Sequence, residues 1–164
     1  MQRILTLVRH AKSRWNDADL RDFDRPLNNR GLKTASEMGK RLADAGYELD
    51  TIISSPAKRA ITTAKIIAKE IGFTEEKIQQ NTDIYDASLN TLFDIVSSLV
   101  DSSKRVMLVG HNPGFTILGN YLSNTRIDNM PTCSIAQVQF DVGSWESITE
   151  HSGELIDFDY PKKP

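Results

Sequence analysis

The chain has 164 residues, 39% hydrophobic and 26% charged, enough for one domain with a buried core and too short for two ordinary ones. Its 20 basic and 22 acidic residues leave a net charge of −2, and no run gathers five or six like charges, so neither a nucleic-acid nor a membrane-surface footprint is present. A single cysteine, Cys133, excludes an intrachain disulfide and any multi-cysteine metal site.

Nothing near Cys133 would activate a thiol, so it reads as a small buried hydrophobe. The opening apolar stretch is short and interrupted by charge, and no later run approaches a membrane span. A cytoplasmic location is expected.

In chain order, Ile4, Leu5, Leu7 and Val8, with β-branched Thr6 among them, read as a buried strand ending on Arg9 and His10. In an open α/β sheet the carboxyl end of a central strand faces the ligand crevice. The pair is therefore placed for chemistry, although two polar residues would equally begin a solvated loop. A polar loop follows over residues 11–30, in which Pro26 disfavours helix at Arg25 and the Asn28, Asn29, Gly31 cluster signals a turn. Leu32, Ala35, Met38, Leu42 and Ala43 then recur at helical spacing, with Gly46 as the stop.

A short strand, Thr51, Ile52 and Ile53, runs into Ser55 and Pro56, an N-cap and first-turn proline that predict a helix beginning at once. The apolar face of that helix is Ala57, Ala60, Ile61, Ala64, Ile67, Ala68 and Ile71. Arg59 falls in its first turn, from where a side chain leaning back toward the N-terminus reaches the crevice. Residues 72–86 are polar, with a short strand predicted near Ile84 and Tyr85. Leu89, Leu92, Phe93, Val96, Leu99 and Val100 mark a third helix.

The next strand, Val106, Met107, Leu108 and Val109, ends in GHNPG and repeats the first architecture. His111 alone would suit a structural histidine, but a second strand-end histidine favours a site. Asn112 and Pro113 fit a cap and a first turn, and free N–H groups of the helix that follows would favour an anion. Residues 134–140 and 145–148 read as an edge hairpin around Gly143, and residues 150–164 as a polar tail. Strands alternating with helices imply an α/β fold whose largely parallel sheet is covered on both faces.

Brought together, Arg9, His10, Arg59 and His111 suit phosphoryl chemistry. Two guanidiniums grip phosphate oxygens bidentately. One neutral imidazole attacks phosphorus, and a second, protonated, stabilises charge on the oxygens. No Asp, Glu, His or Cys cluster has metal-ligand spacing, so neither a metal nor another cofactor is expected.

LTLVRHAKS, DRPLNNRG, SSPAKRAITTA and VGHNPG, in this order, resemble the histidine phosphatase superfamily (branch 1), and within it the small SixA-like phosphohistidine phosphatases. The resemblance covers nearly the whole chain. It implies one phosphoglycerate mutase-like domain over residues 1–164, a three-layer α/β/α sandwich with a mostly parallel central sheet. It makes His10 the nucleophile and Arg9, Arg59 and His111 the phosphate pocket. Arg25, Pro26 and Leu27 become a wall of the site, and Arg25 and Asn112 substrate contacts.

The sequence departs from the family pattern at two places. Ala11 stands where the family commonly has Gly after the Arg–His pair. The proton donor usual in phosphomonoesterases is not securely matched, Asp86 and Asp24 being the candidates. A positioned acid contributes ~10²–10⁴-fold when an alkoxide leaves, whereas imidazole leaves more easily. The weak acid signal thus favours protein phosphohistidine. A small-molecule phosphomonoesterase is the alternative, followed by a non-catalytic phospho-ligand-binding module. Residues 72–86 are too short for a lid, leaving room for a phosphorylated protein or a small phosphorylated metabolite. Trp15 is expected to pack beneath the crevice loop and the segment 131–134 to line the far side of the pocket.

Overall fold

The computed structural model describes residues 2–15 and 17–164. Its elements follow in the order β1 (Gln2–Arg9), α1 (Asn29–Asp44), β2 (Thr51–Ser54), α2 (Lys58–Ile71), β3 (Gln79–Gln80), α3 (Leu89–Ser97), β4 (Arg105–Gly110), α4 (Gly114–Leu122), β5 (Ile135–Asp141) and β6 (Glu154–Asp159). One sheet runs β3-β2-β4-β1-β5-β6. The β2–β3, β2–β4 and β1–β4 pairings are parallel, and the β1–β5 and β5–β6 pairings antiparallel.

Helices cover both faces of this sheet, which is why its central strands read as unbroken apolar runs. On β1 and β4, Leu5, Leu7, Val106 and Leu108 face a core completed by α3 and α4, including Leu92, Val96, Phe115 and Leu118. The alternate residues Val8, Met107 and Val109 face Ala35 and Met38 of α1 and Ala60, Ala64 and Ile67 of α2. Burying an aliphatic side chain of this size contributes about 1.5–3 kcal/mol, and a one-residue slip of β4 would exchange Val106 and Leu108 with Met107 and Val109 between the two cores, disrupting the packing of both at once. Register is therefore held firmly where it determines the site.

Several local expectations are corrected. Asn28 is not a turn residue but the cap of α1, its side chain accepting from Gly31 N at 2.7 Å. Helix α1 therefore starts at Asn29, before Leu32, and Leu32 is 44% exposed while Ala43 lies on the solvent face. Helix α2 starts at Lys58 rather than directly after Ser55. Ile84 and Tyr85 form no strand: residues 82–84 make a 3₁₀ turn, and the short strand is Gln79–Gln80. Helix α3 ends at Ser97, leaving Val100 69% exposed.

At the chain's end the predicted hairpin has the wrong second strand. Residues 145–147 form a 3₁₀ turn whose Trp145 is fully buried against Phe140, and β5 pairs instead with β6, inside the expected polar tail. A register shift between Gln137 and Val138 and the exposed outer face of β6 hide the alternation that would have marked this strand.

Candidate active site

Pairing register assembles the site. Arg9 lies opposite Gly110 and Ser54 opposite Val109, so the next residues, His10, His111 and Ser55, emerge side by side at the carboxyl ends of parallel β1, β4 and β2. The His10 and His111 ring centroids are 5.3 Å apart. Gly110 is required at this approach, because a Cβ there would come within 2.5 Å of the Phe115 ring.

His10 is buried and its Nδ1 donates to the Ala11 carbonyl at 2.7 Å. The proton therefore sits on Nδ1, and the lone pair of Nε2 faces Arg59 Nε at 3.4 Å. The Ala11 amide donates to Thr63 Oγ1 at 3.0 Å, and that hydroxyl donates to the Arg59 carbonyl at 2.7 Å. This chain of bonds fixes the loop after β1 against α2, and Ala11 holds it without glycine's freedom. His111 Nε2 is 2.8 Å from Ser55 Oγ.

Arg59, only 6% exposed, reaches from the first turn of α2 as expected. It donates from Nη1 to the Asp22 carbonyl at 2.6 Å and from Nη2 to Asp22 Oδ2 at 3.0 Å. Arg9 donates from Nη1 to the Met130 carbonyl at 2.8 Å. Arg9 Nε and His111 Nδ1 are buried without a hydrogen-bond partner among the described residues. A buried polar group without a partner costs about 1–3 kcal/mol.

All four expected groups, Arg9, His10, Arg59 and His111, line one cleft of about 470 Å³, together with Arg25, Asn112 and Trp15. A larger groove of about 640 Å³ beside β2 and α3 contains neither histidine nor arginine. Arg25 is committed to the fold, bonding Ser13 Oγ at 2.7 Å, the Arg14 carbonyl at 3.1 Å and Asp22 Oδ1 at 3.2 Å. Asn112 is likewise engaged, donating to the Met130 carbonyl at 2.9 Å and accepting from the Thr116 amide at 3.2 Å.

Because Thr116 N is capped and Phe115 N donates to the His111 carbonyl, these two amides at the start of α4 do not point free N–H groups at an anion. Trp15 does not pack beneath its loop: it is 79% exposed, with the Arg25 guanidinium 3.6 Å from its ring centre. In the segment 131–134, Thr132 lines the cleft and the Cys133 amide donates to the Arg9 and His10 carbonyls.

The candidate acids are misplaced. Neither Asp86, exposed and with φ 52°, nor Asp24, paired with Arg21 at 2.9 Å, lines the cleft. The carboxylate that does is Asp22, held by Arg59, by Arg25 and by the Tyr85 hydroxyl at 2.5 Å. Sequence reasoning missed it because its partners lie far along the chain. The DFDRP run offers two carboxylates, and sequence reasoning singles out Asp24 where the structure turns Asp22 inward.

Burial, reinforced by the positive charges of Arg59, Arg9 and Arg25, lowers His10 to about 4, against the pull of its backbone bond. Burial, His10 and Arg59 lower His111 to about 3. Both imidazoles are thus neutral near pH 7 in the unliganded site. For Asp22, burial opposes ionisation, but the bonds from Tyr85 and Arg59 outweigh it and hold the carboxyl at about 2.

The histidines carry a stability consequence. Their folded pKa values lie below the ordinary 6.5, so the unfolded chain binds more protons once pH drops below about 6.5. Stability is full above that pH and declines through the lowered values, by of order 3 kcal/mol for His10 alone at full effect. Denaturant midpoints at pH 7 and pH 4.5 should therefore fall less in a His10→Ala, His111→Ala double variant than in the parent. Equal losses would contradict the shifts.

Comparison with known proteins bears on the family and the fold. The model of the histidine phosphatase superfamily (branch 1) matches residues 5–92. An uncharacterised chloroplastic protein of Arabidopsis thaliana is 33% identical over 162 residues, covering 93% of this chain and 73% of its own. A 2,3-bisphosphoglycerate-dependent phosphoglycerate mutase of Glaesserella parasuis is 41% identical over 70 residues, which span 40% of this chain and 30% of the mutase. Among solved structures, a candidate phosphohistidine phosphatase SixA from Agrobacterium tumefaciens superposes with TM-score 0.83 at 27% identity, covering 97% of this chain and 98% of that one.

Proposed function

The chain belongs to the histidine phosphatase superfamily (branch 1), and from that premise we propose that it is a phosphatase hydrolysing phosphohistidine carried on a protein, through a covalent phosphoryl intermediate on His10. His10 Nε2 supplies the electron pair of the new N–P bond as the substrate's own P–N bond breaks. The substrate ring's other nitrogen takes a proton from solvent before cleavage, so that the pair of the breaking P–N bond stays with a neutral departing imidazole. Water then forms the O–P bond, Nε2 recovers its pair, and the surplus proton passes to solvent.

Arg9 and Arg59 hold the phosphoryl oxygens throughout. The phosphoryl group's negative charge opposes the effects that lower His111, so His111 takes up a proton as the phosphoryl binds and stabilises its oxygens. The four residues also suit the positions of the family's motifs.

The observation that carries the substrate assignment is the state of Asp22. It is the single carboxylate lining the cleft among the described residues, and at about 2 it is ionised. An ionised carboxylate cannot protonate a leaving alkoxide, so the site favours a leaving group that departs without a proton from the enzyme.

Asp22→Asn should accordingly change single-turnover rates by no more than a few fold on both a phosphohistidine carrier protein and an alkyl phosphate. A selective loss of about 10²-fold or more on the alkyl phosphate would identify Asp22 as an acid and favour the small-molecule phosphomonoesterase. The direct test is single turnover of the wild type on the two substrates, with acid-quench trapping that spares phosphohistidine. Fast release from the carrier supports the reading. Release from the alkyl phosphate alone overturns it, and orthophosphate binding with no turnover points to a binding module.

A further inference from the structure

The last residues of the chain build a feature that the reaction itself does not use. Arg41 of α1 donates to Asp159 Oδ1, to the Tyr160 carbonyl and to the Pro161 carbonyl, each at 3.0 Å. These bonds fold the segment after β6 back over α1. There, Tyr160, Pro161 and Pro131 wall a concavity of about 320 Å³, and Lys12, Arg30 and Lys162 ring it. Lys12 and Thr132 line both this concavity and the His10 cleft, so the two are neighbours with a shared wall.

The charge at this place is one-sided. All three cations are exposed, none is ion-paired among the described residues, and no acidic side chain lines the concavity. A chain of net charge −2 has therefore concentrated positive charge beside the cleft, against a wall whose Tyr160 and Pro161 carbonyls are held by Arg41. An aromatic ring and two prolines add a rigid apolar wall with little flexibility to lose on binding.

Resting on the phosphohistidine reading above, we propose that this concavity is a specificity subsite for the polypeptide that carries the phosphoryl group: it receives acidic side chains flanking the phosphohistidine. The phosphoryl enters the His10 cleft, and the neighbouring chain crosses Lys12 and Thr132 with its carboxylates against Arg30 and Lys162. Charge complementarity of this kind raises the productive encounter rate and weakens with salt.

The test compares two phosphohistidine peptides of one length, flanked by Glu or by Gln, together with free phosphohistidine. The enzymes are the wild type and an Arg30→Glu, Lys162→Glu double variant. Both positions are exposed and outside the cleft, and an acidic residue suits the first turn of α1. We expect kcat/KM for the Glu-flanked peptide to fall by about tenfold or more in the variant and its salt dependence to flatten. Rates on the Gln-flanked peptide and on free phosphohistidine should hold, which also reports an intact fold; if they collapse, an Arg30→Gln, Lys162→Gln pair replaces it, with the same selective loss expected.

Equal wild-type kcat/KM for the two peptides, or an unchanged salt dependence in the variant, overturns the subsite while leaving the phosphohistidine reading in place. A variant that loses affinity for a small bisphosphorylated metabolite but not for the Glu-flanked peptide overturns it in favour of a second phosphate. Turnover of none of the phosphohistidine substrates by the wild type overturns the reading and the subsite together.

Discussion

His10→Ala is expected to lower single-turnover phosphoryl release by on the order of 10⁴-fold or more while leaving orthophosphate binding partly intact. The two effects separate because different groups carry them. The bond to phosphorus needs the Nε2 lone pair, exposed by the Nδ1 bond to the Ala11 carbonyl at 2.7 Å, and alanine has no substitute for it. Anion binding needs positive charge, which Arg9 and Arg59 retain. Acid-quench experiments with labelled substrate should trap phosphoryl on the wild type and none on the variant. Label on the variant, or turnover within tenfold of the wild type, would place the nucleophile elsewhere.

Arg59→Ala should produce the next largest loss, about 10²–10³-fold in kcat/KM, the usual effect of deleting a positioned donor to a developing anion. Its guanidinium lies 3.4 Å from His10 Nε2 and 3.0 Å from Asp22 Oδ2, so it touches both the attacking atom and the carboxylate. The pH profile separates an electrostatic role from simple loss of packing. Arg59 is one of the charges that lower His10 toward about 4. Removing it raises the His10 pKa, and the acid limb of the rate profile must move to higher pH. Arg59→Lys keeps the charge without the planar fork, so it should restore the acid limb but only part of the rate. An acid limb unmoved in Arg59→Ala would show that the residue acts through packing alone.

The parts of the molecule legible in the sequence are those whose cause is local. Strands β1 and β4 are buried on both faces, so each must be a continuous apolar run whatever its neighbours, and each ends visibly on His10 or His111. Arg59 was placed by helical spacing and by the backward lean of helical side chains, and it reaches the cleft. The resemblance to a family, carried by ordered motifs rather than by any one of them, added roles that spacing cannot supply.

The choice among carboxylates lay outside that reach. Asp24 and Asp22 are two residues apart on the same 3₁₀ turn, and only the packing of Arg59, Tyr85 and Arg25 around Asp22 selects it. Asp86, matched by its segment alone, is exposed and lies outside the cleft. The charge state of His111 was also unreadable, because burial and the surrounding guanidiniums, both products of the assembled fold, push it down to about 3.

The sequence by itself therefore determined the alternation of strands and helices, the strand ends that carry the histidines and the arginine aimed at them, because apolar periodicity and helix geometry act within a few residues. The tertiary structure alone decided that β6 rather than residues 145–148 completes the sheet, that Asp22 faces the cleft, that burial lowers the pKa of both histidines in the unliganded site, and that the final residues curl back beside Lys12. Each of those outcomes depends on contacts between segments far apart in the chain, whose energies exist only once the sheet has set its register.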